Sequence, residues 1–293
     1  MSVASFKPVV WSALLLTSLK KNLVGEAFVN HNFEGEVVGA GSVKINSIGA
    51  IQVGTYDGTP ITYEDLSTSD QTLLIDRQKY WAFQVDDVDK AQVANSSELM
   101  TRAMSEAAYA IANDADTNTV KTLVAGAGGS INTVTSNVKQ VIPVTTSDDA
   151  KNVLLELNRV ADEKNIPSVG RVVAVTPAFK AKLLADKYLG LNPAVGADIV
   201  RAGYIGELYG LQLFVTNNIE TKTSDAAYSE NCTFAILAHP MGTTEAAQVD
   251  KVEALRSGDS FKDLVRGLYV SGIKVIIPDT IVTAAITFTP VNP

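Results

Sequence analysis

Cysteine is nearly missing from this sequence: Cys232 stands alone, so no internal disulfide can form, and the usage fits a reducing compartment. Histidine is almost as scarce. His31 and His239 lie in Asn-His-Asn and His-Pro turn contexts, with no Ser or Cys motif around either. A nucleophile needs a base beside it, so no triad can be built, and the two read as turn or surface residues. Cys232, next to Asn231, reads as a small buried hydrophobe. Basic charge is also in deficit, since 24 Lys and Arg face 32 Asp and Glu for a net charge of -8. That balance argues against a tight grip on a phosphate backbone, which requires clustered cations. Long apolar runs are absent. The stretch 9–19 is broken by Trp11, Ser12, Thr17 and Ser18, is too short to span a bilayer, and lacks the features of a signal peptide. The chain is therefore read as cytosolic, with no membrane partner.

Metal and phosphate motifs are missing too. Asp86-Asp87-Val88-Asp89 is the one tight acidic run, and it lacks the glycine and distal glutamate of a calcium loop, so it reads as charge leading into a helix. Gly39-Ala40-Gly41 and Ala125-Gly126-Ala127-Gly128-Gly129 are turn glycines, because neither is followed by Lys-Ser/Thr or completes a dinucleotide fingerprint. Asp114 and Asp116 sit at alternate helical positions that point in different directions, and read as a solvated face. The sequence thus offers no catalytic, cofactor or metal site.

What it does offer is length and pattern. At 293 residues with 46% hydrophobic and 19% charged, the chain can bury a sizeable core. Its organising stretch is 95–124. Met100, Ala103, Met104, Ala107, Ile111 and Ala115 recur three or four residues apart, a stripe at helical period, while Glu98, Arg102 and Glu106 step along another face. Asn95 with Glu98 resembles a capping box, and Gly126, Gly128 and Gly129 can take a left-handed C-terminal turn. Such a helix is about 40 Å long and needs partners along its side.

Before it, Pro8, Val9, Leu14, Leu15, Leu19 and Leu23 predict a short amphipathic helix that ends near Gly25 and forms an arm. Residues 35–86 are strand-like between glycines: Val37, Val43, Ile45 and Val53, then Leu73, Ile75, Trp81, Phe83 and Val85. They predict one long β-hairpin with turn candidates at Tyr56-Asp57-Gly58 and at 66–70, too poor in aliphatics to bury itself. After the helix, strand and helix alternate. Strands are predicted at 138–144, 171–175, 211–215 and 233–238. Helices are expected behind a Ser147 cap, with Ala150, Leu154, Leu157 and Ala161 on one face, and behind Thr176-Pro177, carrying Phe179, Leu183 and Leu184 inward. A second hairpin follows at 249–256 and 264–277, turning at Ser257-Gly258-Asp259, and a last strand at 281–288. Two projections that cannot bury themselves imply an assembly in which neighbours bury them.

In this order the residues resemble the major capsid proteins of tailed double-stranded DNA bacteriophages, the Hong Kong 97 fold. The resemblance rests on three stretches. The first is Asp76-Arg77-Gln78-Lys79-Tyr80-Trp81-Ala82-Phe83-Gln84-Val85-Asp86-Asp87-Val88-Asp89-Lys90-Ala91-Gln92, leading into the long helix. The second is Pro167-Ser168-Val169-Gly170-Arg171-Val172-Val173-Ala174-Val175-Thr176-Pro177 with 205–218. The third is 248–256 with 261–267 and 269–278. It implies an α+β fold with four parts: an N-terminal arm (1–34), an extended β-hairpin loop (35–86), a peripheral domain with a long spine helix (87–130 and 248–277), and an α/β axial domain (131–247 and 278–293). It implies a coat protein, not an enzyme, that assembles in the host cytoplasm through hexamers and pentamers into an icosahedral virion shell. The partners it implies are many copies of itself, a portal, packaged double-stranded DNA without sequence-specific contact, and a separate scaffolding protein, expected because only about thirty residues precede the extended loop. The two turns, Tyr56, Asp57 and Gly58 with Ser257, Gly258 and Asp259, are the candidate subunit contacts. The lysine, asparagine and glutamate of the family's covalent cross-link find no counterpart here, so none is expected. A bacterial nanocompartment shell of the same fold and a soluble α/β enzyme are the alternatives; the second would need a titratable cluster in a cleft.

Overall fold

The long helix is present as α1 (Ser96–Ala125), within a residue of its predicted bounds. It belongs to a computed structural model that describes residues 23–32, 41–48, 68–87, 96–135, 137–185, 206–223 and 227–288, together with 51, 53, 55, 56, 58, 63 and 65. Outside the described residues lie Asn95, most of the predicted N-terminal helix, the glycine-rich stretch 190–203 and the tail beyond 288, together with the side chains of Glu98 and Met100.

The predicted stripe of α1 is only half covered within one chain: Ala103, Met104, Ala107, Ile111 and Ala115 are all intermediate in exposure. Full burial falls further along, at Asp116, Thr119, Val120 and Leu123. The end of the helix also differs from expectation. None of Gly126, Gly128 and Gly129 has a positive φ. Close approach is what excludes a side chain there, since a Cβ on Gly126 would stand 2.6 Å from Val275 and one on Gly128 would stand 2.6 Å from the Pro278 carbonyl.

Asp116 corrects the solvated-face reading. Its carboxylate is 5% exposed and accepts hydrogen bonds from the backbone N–H groups of Val24 at 2.6 Å and Gly25 at 2.5 Å, and from the Asn218 amide at 2.5 Å. Val24 and Gly25 open a 3-10 helix, Gly25–Phe28, so the carboxylate satisfies N–H groups that have no partner within that helix. Asp114 faces elsewhere, paired with Arg77 at 2.6 Å and Lys79 at 3.8 Å.

Beyond α1 come β4 (Gly129–Ser130), β5 (Val134–Thr135), β6 (Val138–Lys139), β7 (Ile142–Pro143), α2 (Ser147–Glu163), β8 (Val172–Val175), α3 (Pro177–Leu184), β9 (Glu207–Leu208), β10 (Leu211–Val215), β11 (Thr233–Ala238) and β14 (Ile281–Thr287). Among the described residues, seven of these strands make one sheet in the order β4-β14-β11-β8-β10-β9, with β7 also on β14. The β8–β10 pair is parallel and β11 runs antiparallel to both β8 and β14. Every residue of β8 is buried, because the sheet is covered on both faces. Val173 and Val175 point to a core shared with Leu154, Leu157, Phe179 and Leu183 of α2 and α3. Val172 and Ala174 point to a second core shared with Val120 and Leu123 of α1 and with Val24 and Phe28. Each such large side chain contributes roughly 2 kcal/mol of apolar burial. The cap of α2 sits one residue before the predicted Ser147: Thr146 and Asp149 form a reciprocal capping box. Thr176 caps α3 with Pro177 behind it, as expected.

The two projecting hairpins differ in one respect from the sequence reading. β1 (Ser42–Ile48) and β2 (Thr68–Leu74) pair antiparallel from Ser42 opposite Leu74 to Ile48 opposite Thr68. The strand after them, β3 (Arg77–Asp86), leaves that hairpin. It pairs instead with β13 (Lys262–Val275), the second strand of the hairpin formed with β12 (Thr243–Arg256), and makes a sheet in the order β12-β13-β3. The handover occurs at Gly272, where a Cβ would meet the Leu74 carbonyl oxygen at 2.1 Å. Only a glycine lets Leu74 and Ile75 cross there. Val43, Ile45, Leu73 and Ile75 then close a small core with Ala246.

The N-terminal segment fastens these parts together. Asn30 bridges in parallel to Thr244, its N–H donates to the Thr243 carbonyl at 2.9 Å, and its carbonyl accepts from Glu245 at 3.1 Å.

Candidate assembly surfaces

The chain's projecting ends carry more exposed apolar surface than its body requires. On the connection between β1 and β2, Val53 is 98% exposed and Tyr63 91%. Tyr56 and Ile51 are also exposed. Gly58 has φ 91° and open space around it, as a tight turn demands. Asp57 lies outside the described residues.

At the other tip, the turn after β12 is held by its own serines. Ser257 N–H donates to the Lys262 carbonyl at 3.0 Å, Ser260 and Ser257 hydroxyls meet at 2.9 Å, and Asp259 N–H donates to the Ser257 hydroxyl at 3.4 Å. Gly258 and Asp259 are exposed, and Ser257 is half-buried. Among the described residues no hydrogen bond or ion pair links this turn to Tyr56 or Gly58. The two candidate contact turns belong to different hairpins, β1–β2 and β12–β13.

Sequence reasoning missed Phe261, which is 79% exposed immediately beyond that turn. It falls between the predicted turn and the strand predicted from Leu264, and nothing in its spacing separates an inward from an outward ring. Tyr80 was missed in the same way. The pleat of β3 turns Trp81, Phe83 and Val85 one way, where the first two rings stack at 5.8 Å, and Tyr80 and Ala82 the other way. Tyr80 is 80% exposed and lines a shallow cleft of about 520 Å³ with Ala82, Leu268, Gly267, Glu253 and Arg266. Charge is arranged around this sheet in pairs. Arg266 meets Glu253 at 2.6 Å, and Arg256 holds both Asp87 and, at 3.0 Å, Asp263. Those carboxylates raise the Arg256 pKa above its usual value, Asp87 contributing most. Asp87 is thus a strand-tethering partner; Val88 and Asp89 of the same acidic run lie outside the described residues.

The residues set aside as non-catalytic have structural places. His31 pairs with Glu26 at 3.0 Å. His239 accepts from Met241 N–H through Nδ1 at 3.2 Å and meets the Val169 carbonyl through Nε2 at 3.1 Å, which suits a neutral ring protonated on Nε2. Cys232 is buried in the second core. Among the described residues no group of three or more His, Cys, Asp or Glu is arranged to hold a metal ion, and no helix is long and apolar enough to cross a membrane.

No curated protein matches the sequence. Solved structures do. A chain from Mycobacterium phage Che8 is 30% identical, with a TM-score of 0.75 and 97% of each chain covered. The capsid of cyanophage P-SCSP1u is 15% identical, with a TM-score of 0.71 over 99% of this chain and 95% of that one. The capsid of Ralstonia phage GP4 is 13% identical, with a TM-score of 0.70 over 100% and 99%. At those last two identities the likeness is one of fold, the mixed α+β capsid fold of the Hong Kong 97 type. The sequence itself matches the family model described as phage capsid protein over residues 49–284. The chain belongs to the phage capsid protein family, whose members are structural components of the virion and not enzymes.

Proposed function

We propose that the chain builds an icosahedral shell through hexamers and pentamers, with each copy's β1–β2 loop lying over an adjacent copy. One observation carries the proposal: Val53 and Tyr63 on that loop, and Phe261 and Tyr80 on the β12-β13-β3 sheet, are all more than three-quarters exposed within one chain. Apolar surface gathered on projections marks an interaction site, and in a shell the partners at hand are further copies. Lateral contacts of this kind are individually weak and become strong through number.

In this reading 1–34 is an arm, 35–86 the extended loop, 87–130 with 248–277 a peripheral domain built on α1, and 131–247 with 278–293 an axial domain around the capsomer axes. The pairing of β3 with β13 supports counting 77–86 with the peripheral domain in place of the loop. Tyr56, Asp57 and Gly58 with Ser257, Gly258 and Asp259 are proposed contact turns. Packaged double-stranded DNA, a portal and a separate scaffolding protein are the further partners, and assembly takes place in the host cytoplasm. A net charge of -8 supports a wall that holds DNA without gripping it.

Negative-stain microscopy of the full chain, expressed alone and then with its phage's own assembly proteins, tests this. Rings of five or six copies, or shells, are expected. Monomers under both conditions would overturn it, and closed regular shells from the chain alone would count against a separate scaffold.

A further inference from the structure

A groove beside the second core lies apart from the projections and the contact turns. It lies where the end of α1 covers only part of the sheet's second face, and has a volume of about 470 Å³. Its apolar surface is presented by Val124, Ala125, Ala127 and the ring of Tyr228, which lies over the buried Phe234, edge-on at 5.6 Å. Its rim is basic. Among the described residues, Lys121, Lys139 and Lys222 line it together with Glu220. Lys121 and Glu220 neutralise each other at 2.6 Å. The ammonium of Lys139 stands 5.8 Å from the Tyr228 ring centroid, and Lys222 makes no ion pair among the described residues.

Two lysines with no ion-pair partner among the described residues, set beside an apolar surface, are out of character for a chain of net charge -8. They are also held in place. Lys222 and Cys232 exchange backbone hydrogen bonds at 2.7 and 2.9 Å, and the Lys139 N–H and carbonyl bond Ala227 and Ser229 at 2.9 and 3.1 Å. The backbones that carry both cations are therefore fixed before any partner arrives, which reduces the ordering cost of binding.

We propose that this groove docks an acidic peptide segment of a separate protein, one apolar side chain entering over Val124 and the Tyr228 ring and flanking carboxylates meeting Lys139 and Lys222. Charge complementarity selects the acid, and the apolar floor selects a peptide over nucleic acid. Among the described residues a DNA strand would meet two lysines outside ion pairs, too few for binding driven by phosphate contacts, and would leave the apolar surface unused. The inference goes beyond shell building and is tested on the unassembled chain, so either can fail without the other.

The test is fluorescence anisotropy on the full-length chain with a labelled ten-residue peptide of alternating Asp and Leu. The comparison probes are the same peptide with Ser for Leu, the same with Lys for Asp, and a ten-nucleotide single-stranded DNA. The Asp/Leu peptide is expected to bind, to weaken several-fold as salt rises, and to lose at least tenfold in affinity for the double variant K139E/K222E. The other three probes are expected to bind at least tenfold more weakly. Equal binding by the variant, or binding of the Ser peptide or the DNA as tight as that of the Asp/Leu peptide, would overturn the proposal. Carbodiimide coupling of the same peptide to the unsubstituted chain does not depend on the variant folding. Adducts at Lys139 or Lys222 are expected, and adducts only at other lysines would contradict the site.

Discussion

Asp116 shows how one side chain can join distant parts of the chain. It sits on α1 yet takes its hydrogen bonds from Val24, Gly25 and Asn218, 92, 91 and 102 residues away. Replacing it with alanine would strand two backbone N–H groups in the interior and is expected to cost about 3 kcal/mol, read as a lower midpoint in urea denaturation. An unchanged midpoint would refute that role. Gly242 is constrained by space. A Cβ there would lie 1.6 Å from the Thr280 hydroxyl and 3.0 Å from the Ile277 carbonyl, so Gly242→Ala is expected to lower the melting temperature by several degrees. Asp149 supplies a pH dependence. The Thr145 hydroxyl first, then the Thr146 and Thr145 N–H groups, hold its carboxyl well below the usual carboxylate range. A carboxyl whose folded pKa is depressed contributes stability that is complete above its unfolded value near pH 4 and is lost as pH falls through the folded one. Asp149→Asn should therefore lower stability at pH 7 and have progressively less effect as pH drops below about 4, measured by denaturation across that range.

At the scale of elements, α1 is the clearest case of a structure legible in sequence, because a stripe at helical period from Met100 to Ala115, about four turns, is too long for a strand. The helices capped by Thr146 and Thr176 and the buried strand Val172–Val175 were legible for similar reasons: a polar cap or proline marks the start, and a continuous β-branched run marks a strand covered on both faces. What stayed hidden was allegiance. Arg77–Asp86 reads as a strand, but alternation specifies which residues face alike and says nothing of the partner strand. The crossing at Gly272 decides it, and one glycine in a sequence does not announce what passes over it. Asp116 was hidden because a solvated and a buried carboxylate have the same letter, and the lysine-rimmed groove because Lys121, Lys139 and Lys222 are brought together only by the fold. The half-covered stripe of α1 alters what an introduced charge there should do. Ala107→Glu would place a carboxylate on a side of the helix that one chain leaves partly open, so the variant is expected to keep its circular dichroism spectrum and to yield no shells. Normal shell yield from Ala107→Glu would remove that face from the assembly contacts.

At the scale of the whole molecule, the α/β unit is closed on itself by two cores, whereas the loop and the sheet β12-β13-β3 expose apolar groups that a solitary protein keeps inside. A shell resolves that imbalance by letting each copy cover its neighbour. The loop carries its own chemical handle for detecting this, since 45–76 contains no Lys or Arg but holds Asp57, Glu64, Asp65, Asp70 and Asp76. Carbodiimide coupling can therefore join loop carboxylates to lysines of whatever surface the loop touches. The most direct test uses shells assembled from an equal mixture of ¹⁴N- and ¹⁵N-labelled chains, coupled and analysed by mass spectrometry. Coverage of neighbours predicts that peptides containing Asp57, Glu64 or Asp65 are linked to lysine peptides of the opposite label about as often as to those of the same label. Links from the loop confined to peptides of the same label would contradict it and return the loop to its own chain.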